Sequence, residues 1–411
     1  MAGNQSSQSR FTQKELDYVE EVLRAEFRAS TAGSMNQRLE LAFSARHGVR
    51  YAVTHNSGTS TLHSCLAAAG VGPGDEVISP ALGPVSMAYA TIHQNAVPVF
   101  ADVKADTFNI DPEDVRRRIT PRTKAIIAVA LYGLPPDLDE LMELATTHGL
   151  VVIEDNAECL LAEYKGRLAG TIGHMASYSF EDSKHISTGD GGIVITDDEV
   201  MARRIRLHGA LGFKALAAGD GRVRLDRKSF QNPDYKRHSA LGWNYRLSEI
   251  LAAVALAQVE RIDEIIARRQ AIAQLYQEAV AGCAWLVPQR VPADRTNSYW
   301  TYAMTYEGAD SPGISWTQFH QAYIDNGGDG FYAAWSPVYL EPSLVAGDFY
   351  GKGCPLRCPS YEGQAPYGPG LCPITESIQP KIVQLKTSYI DMKVAEQKAE
   401  ALYRTVQQFG G

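Results

Sequence analysis

The sequence predicts an α/β chain: a large unit built on a mostly parallel sheet covered by helices, followed by a smaller α+β unit. Three observations carry that expectation. Short apolar runs alternate with helix-like segments from residue 51 to residue 155. One alanine-rich helical run, about Glu249 to Ala279, has the length to bridge two units. The chain has 411 residues, more than one small core organises, so two domains are expected: residues 1–265, the N-terminal segment with the large domain, and 266–411, the small one.

Taken in order, Gln13 to Phe27 carries apolar residues at helical spacing, and Leu39 to Phe43 resumes the period after Gly33. Tyr51–His55 is a strand that enters Asn56-Ser57-Gly58-Thr59-Ser60, a tight turn at the start of a helix running to Ala69. Strands are expected at 76–79, 97–102 and 125–131, with helices at 86–93, 112–119 and 138–148 between and after them; Gly149 stops the last. Leu150–Ile153 is a buried strand ending in Glu154-Asp155, and further strands follow at 175–180 and 193–196. Asp197-Asp198-Glu199 opens another helix, and Gly219–His238 is a polar segment rich in Arg and Lys, including Arg222 and Arg224: a solvated loop, or an arm that meets an anionic substrate or a partner subunit. In the last third, Tyr299–Met304 reads as a strand, Trp316–Tyr323 as a helix, and Lys381–Ile390 as part of a late helix. Trp335–Gly370 is a Pro-, Gly- and aromatic-rich loop.

Composition excludes several classes. A net charge of -8 argues against a dedicated nucleic-acid binder, and no apolar run approaches 18 residues, so no membrane span is expected. Residues 1–7 are polar, without the apolar stretch of a secretion signal. Six cysteines are too sparse for a disulfide scaffold, and the chain reads as cytoplasmic. Cys354 and Cys358 have a spacing compatible with zinc, but no second compact pair follows, so no metal is expected.

The candidate chemistry lies between residues 151 and 196. Ligands of open α/β sheets bind beyond the carboxyl ends of strands, which is where Asp155 falls. Lys184 sits in a glycine-rich stretch 29 residues later. An amine and a buried carboxylate suit chemistry in which the amine binds a carbonyl and the carboxylate holds a positive ring nitrogen. The helix start at Gly58, Thr59 and Ser60 presents free N–H groups and hydroxyls, a ready anion site. Each feature also has a plain reading: lysines in polar turns are usually solvated, and Ser57 or Thr59 could simply cap its own helix.

The order of several segments goes further. Ser57-Gly58-Thr59, Gly72-Pro73-Gly74-Asp75-Glu76-Val77-Ile78, Val152-Ile153-Glu154-Asp155, Ser177-Tyr178-Ser179-Phe180, Lys184 with Gly189-Asp190-Gly191-Gly192, Leu241–Leu247 and Cys372–Pro380 together resemble the DegT/DnrJ/EryC1/StrS sugar aminotransferases, a branch of the fold-type I enzymes that use pyridoxal 5'-phosphate. The likeness runs from about residue 12 to residue 400. It implies a fold-type I architecture, a three-layer large domain and a smaller C-terminal domain.

The resemblance also implies roles. Lys184 would form the Schiff base, and Asp155 would pair with the pyridine nitrogen. Gly58, Thr59 and Ser179 would hold the phosphate, and Asn244, with Arg246 as a further candidate, would reach the site of the neighbouring subunit in a homodimer. Glu158 would lie near the phenolic oxygen, where the family commonly has glutamine. Two further departures are His185 after the lysine and the lack of a ring-stacking aromatic in Pro80–Val85. The implied reaction moves an amino group from glutamate or glutamine to a polyhydroxylated keto acceptor: a keto sugar, a nucleotide-linked keto sugar or a keto cyclitol of secondary metabolism. The alternatives are a sugar dehydratase using the same cofactor, a branch in which histidine replaces the lysine, and a non-catalytic cofactor-binding regulator.

Overall fold

The computed structural model describes residues 9–29, 33–221, 227–310 and 312–410; Arg222, Arg224 and the residues of the polar N-terminal tail lie outside them. The first helix, α1 (Gln13–Arg24), begins at a capping box in which Thr12 and Glu15 exchange hydrogen bonds. The second, α2 (Met35–His47), stops at Gly48 in the left-handed region, the conformation a Cβ disfavours.

Among the described residues, thirteen strands follow in chain order: β1 (Tyr51–His55), β2 (Glu76–Pro80), β3 (Val97–Ala101), β4 (Thr123–Val129), β5 (Val151–Asp155), β6 (Glu163–Tyr164), β7 (Arg167–Leu168), β8 (Met175–Ser179), β9 (Gly192–Thr196), β10 (Leu286–Pro288), β11 (Thr301–Tyr306), β12 (Tyr332–Ala333) and β13 (Ile382–Lys386). Seven build the large sheet in the order β1-β9-β8-β5-β4-β2-β3. The β2–β3, β2–β4, β4–β5 and β5–β8 pairs are parallel, and β9 is antiparallel to both β8 and β1. All strands of this sheet but β9 therefore point the same way. The carboxyl ends of β1, β4, β5 and β8 share one edge.

The small sheet, β10-β11-β13-β12, is antiparallel throughout. Here two expectations fail. Residues 382–386 are a central strand, not part of a helix, and the late helix is Met392–Gln408. Ile-Val-Gln-Leu-Lys is a short run with β-branched residues leading, flanked on both edges by strands that complete its hydrogen bonds. The long helix is also two: Glu249–Val259 and Ile262–Ala279, separated at Glu260-Arg261. Arg261 leaves the helical path (φ -129°, ψ 25°) while its guanidinium pairs with Glu15 and donates to the Arg10 carbonyl.

The second helix passes from one core to the other. Ala252 and Leu256 of the first helix, with Ile262 and Ile266 at the start of the second, pack with β8 and β9 residues, whereas Ile272, Tyr276 and Val280 pack with Tyr302, Met304 and Leu385 of the small sheet. The loop-rich region then returns to the large sheet, where Val338, Tyr339, Leu344 and Cys372 join Val77, Phe100 and Ile127 in one core.

Candidate active site

Asp155 ends β5, and burial leaves it 1 % exposed. One carboxylate oxygen, Oδ1, accepts the Ala157 N–H at 3.1 Å. The other, Oδ2, is buried and meets no donor among the described residues. Burial raises the Asp155 pKa to about 6, against the Ala157 hydrogen bond and with a smaller contribution from neighbouring Glu158. A buried oxygen without a donor is costly, so this position calls for an N–H from outside the chain.

Lys184 follows β8 in the turn Glu181–Lys184. It is not a solvated surface lysine. Its Nζ donates to Glu158 Oε1 at 3.3 Å and lies 4.1 Å from the centroid of the Trp300 ring, with 13 % of the side chain exposed. The Trp300 indole N–H donates to the carbonyl of Ser183 at 3.0 Å, which ties the ring to the residue before the lysine. On the other oxygen of Glu158, the Tyr132 backbone N–H donates at 3.0 Å. Burial raises the Glu158 pKa, and Lys184 opposes that shift.

At the neighbouring edge, α3 (Gly58–Ala68) begins directly after β1. Ser57 caps the helix by accepting from Ser60 N–H, and the Ser60 hydroxyl bonds back. The capping reading is therefore right for Ser57. Gly58 and Thr59 occupy the first two helical positions, whose N–H groups have no acceptor within the helix. Gly58 lies against Ser179: a Cβ built there would meet Ser179 Cβ at 2.8 Å. Close approach of the helix start to the end of β8 thus requires glycine at this position. Lower in the same helix, Thr61 and Ser177 share a 2.6 Å hydrogen bond that locks α3 to β8.

These observations fit pyridoxal phosphate. The orphaned Asp155 oxygen suits a ring N–H, the start of α3 suits a phosphate, and the enclosed lysine suits a carbonyl partner.

The two further departures take definite places in the structure. The buried His185 ring meets the Ser298 carbonyl at 3.0 Å rather than Glu158, and burial with the nearby Arg269 charge lowers its pKa. The cation beside Glu158 is Lys184. No aromatic comes from residues 80–85, yet the lysine has one beside it, Trp300, stacked in turn on Tyr132 and Trp335. Neither local period nor motif marks Trp300; only the start of β11, brought beside Ser183, reveals it.

Asn244 places its backbone beside the same edge. It pairs with Ala210, and its carbonyl lies 3.5 Å from Asn56 Nδ2, while its side chain is exposed. Arg246 lines a cavity of about 300 Å³ with Glu40 and Arg206 on its own chain. Among the described residues, no group of three or more His, Cys, Asp or Glu could hold a metal ion, and Cys354 and Cys358 are free thiols.

Residues 9–327 match the DegT/DnrJ/EryC1/StrS aminotransferase family. The chain belongs to that family. It is a pyridoxal-phosphate-dependent transaminase of fold type I. This aminotransferase is 35% identical over 303 residues to GDP-perosamine synthase of Escherichia coli O157:H7, covering 74% of this chain and 78% of the relative. It is 35% identical over 311 residues to the L-glutamine:2-deoxy-scyllo-inosose aminotransferase of Streptomyces kanamyceticus, covering 75% and 71%. The aminotransferase from Psychrobacter cryohalolentis superposes with a TM-score of 0.83 at 27% identity, over 99% of this chain and 100% of that one. DesV of S. venezuelae, solved in complex with a ketimine intermediate, gives 0.79 at 27%, over 96% and 95%.

Proposed function

We propose that the chain moves an amino group from glutamate or glutamine to a polyhydroxylated keto acceptor, either a keto sugar, a nucleotide-linked keto sugar or a keto cyclitol. The observation that carries this reading is the enclosure of Lys184 between Glu158 and Trp300, on the sheet edge where Asp155 has an unmet oxygen. The relatives support the acceptor class: one is named for GDP-perosamine, another for L-glutamine and 2-deoxy-scyllo-inosose.

In this reading, pyridoxal phosphate supplies a carbonyl carbon that accepts the amino group and a conjugated ring that stores the electron pair of a broken C–H bond. Asp155 binds the ring nitrogen, and that cationic partner lowers its raised pKa and keeps it ionised. The N–H groups of Gly58 and Thr59, with the Thr59 and Ser179 hydroxyls, hold the phosphate and so fix the register of the ring. Lys184, held against Glu158 and Trp300, would be the residue that holds the cofactor's carbonyl, and its free amine would serve as the base toward the donor's α-proton. As the one amine among these residues, Nζ would carry that proton in both directions of the transfer. Glu158 holds Nζ between these tasks and, through the Tyr132 N–H, is itself held. Trp300 shields the amine from water on the other side.

We assign residues 1–265 to the cofactor-binding domain and 266–411 to the small domain, and we infer a cytoplasmic homodimer acting in secondary metabolism. Asn244 then completes the phosphate site of the partner subunit. No helix among the described residues is long and apolar enough to cross a membrane.

The reading is tested by mixing holoenzyme with glutamate or glutamine in the absence of acceptor and following the visible spectrum. Conversion to the amine form of the cofactor is expected with at least one donor, and borohydride reduction of the resting enzyme should fix the added mass on Lys184. No conversion with either donor overturns the assignment.

A further inference from the structure

A second cavity, of about 260 Å³, borders the lysine turn without including any of Gly58, Asp155, Glu158, Ser179 or Lys184 in its wall. Five basic side chains line it, Arg10, Arg261, Arg268, Arg269 and Lys386, and among the described residues no Asp or Glu does. The wall is completed by neutral groups, among them the His185 ring and Thr387.

The charges in that wall are poorly balanced by the protein. Arg269 is 4 % exposed, and its guanidinium donates to neutral oxygens: Trp300 O at 2.8 Å, Thr387 Oγ1 at 3.1 Å and Lys184 O at 3.3 Å. Arg10 likewise donates to carbonyls, those of Asp182, Lys184 and His185, at 2.7, 2.9 and 3.2 Å. The carboxylates nearest Arg10 are those of Glu181 and the exposed Asp182, outside the cavity wall. Arg261 takes a carboxylate from outside the wall, Glu15, and still leaves its Nε buried without an acceptor among the described residues. Burial, then the like charges of Arg10 and Arg268, push the Arg269 pKa down to about 9. Guanidinium groups crowded out of water without counter-charge are costly, and a solution anion can supply one.

We propose that this cavity is a binding site for a small, multiply charged phosphate-bearing anion. Planar guanidinium forks match the several oxygens of a phosphate, and a single carboxylate would leave most of the five charges unmet. The volume falls at the small end of ligand pockets, which suits a phosphate ester or pyrophosphate rather than a nucleotide-linked sugar. Arg10 and Arg269 form both the cavity wall and the hydrogen bonds to the Lys184 carbonyl, so the anion sits one residue contact away from the lysine turn.

The test is calorimetric titration of cofactor-saturated enzyme with inorganic pyrophosphate at fixed ionic strength, with potassium chloride as the control. One saturable site per chain is expected. The Arg268→Gln, Lys386→Gln double variant, changed at two basic residues of the wall that stand apart from the Lys184 carbonyl, should bind at least about tenfold more weakly. Its cofactor spectrum and its reaction with the amino donor should be unchanged. Arg268→Lys, which keeps the charge, should retain most of the binding. Absence of saturable binding beyond the chloride control overturns the proposal. So does equal affinity in wild type and the double variant, which would place pyrophosphate elsewhere, including at the start of α3.

Discussion

Lys184 Nζ and Glu158 Oε1 lie 3.3 Å apart in a slot where Glu158 is 2 % exposed, so the lysine amine rests on a buried carboxylate. Few waters can screen that pair, and the Lys184 charge opposes the burial that raises the Glu158 pKa. Glu158→Gln removes the negative charge while keeping an acceptor for the Tyr132 N–H. The pH midpoint of the holoenzyme's visible band should fall, because a nearby negative charge favours the protonated form. An unchanged midpoint in a spectrophotometric pH titration would show that Glu158 carries no charge once the cofactor is bound.

Asp155 makes a prediction with opposite signs for apoenzyme and holoenzyme. Its folded pKa, raised from 3.8 to about 6 by burial, means that the folded apoenzyme holds a proton that the unfolded chain has released. Stability from this group is therefore full below about pH 3.8 and is lost as pH rises to about 6; the loss is roughly 3 kcal/mol at 1.36 kcal/mol per unit. Asp155→Asn should remove that slope and make the apoenzyme more stable than wild type at about pH 7 in urea unfolding. The same change should weaken cofactor binding, because the ring nitrogen loses its carboxylate. An Asp155→Asn apoenzyme less stable than wild type at neutral pH would contradict the assignment of a buried, partnerless carboxylate.

Asn244 tests the shared site. Loss of one charge-assisted hydrogen bond to phosphate, about 1.5–3 kcal/mol, should weaken cofactor binding by roughly ten- to a hundredfold in Asn244→Ala. Mixing Asn244→Ala subunits with Lys184→Ala subunits should restore activity, since one of the two sites in a hybrid then draws on two unaltered halves. Confirmed subunit exchange with no regained activity would mean that Asn244 acts within its own chain.

Arg206 is a stability prediction remote from the lysine. Its guanidinium grips Glu40 at 3.0 and 2.8 Å and also donates to the carbonyls of Ala52 and Ala218. Arg206→Met should leave the Glu40 carboxylate buried and without this partner, at a cost of about 3–5 kcal/mol. A denaturant midpoint within error of wild type would show that water replaces the arginine.

What the sequence determined by itself was the succession of strands and helices along the chain of the large unit, because each is written in short-range terms. The apolar run at 151–153 ends at a charged pair, Gly149 stops a helix, and Ser57-Gly58-Thr59 joins a strand to a helix start. It also carried Lys184 and Asp155 as candidates, through residue type and segment order. Residues 382–386 carry no decisive period, since Ile-Val-Gln-Leu-Lys is too short to separate strand from helix; their strand character comes from β11 and β12 on the two edges. The division at Glu260-Arg261 was equally hidden, since helical propensity is nearly continuous there and the break coincides with Arg261 turning to Glu15 and Arg10, far earlier in the chain. Only the tertiary structure decided what surrounds the lysine. Trp300 lies 116 residues beyond Lys184, and the two meet because the start of the small sheet docks on the turn after β8. Charge and burial at a site are sums over such distant neighbours, and no local stretch of sequence contains them.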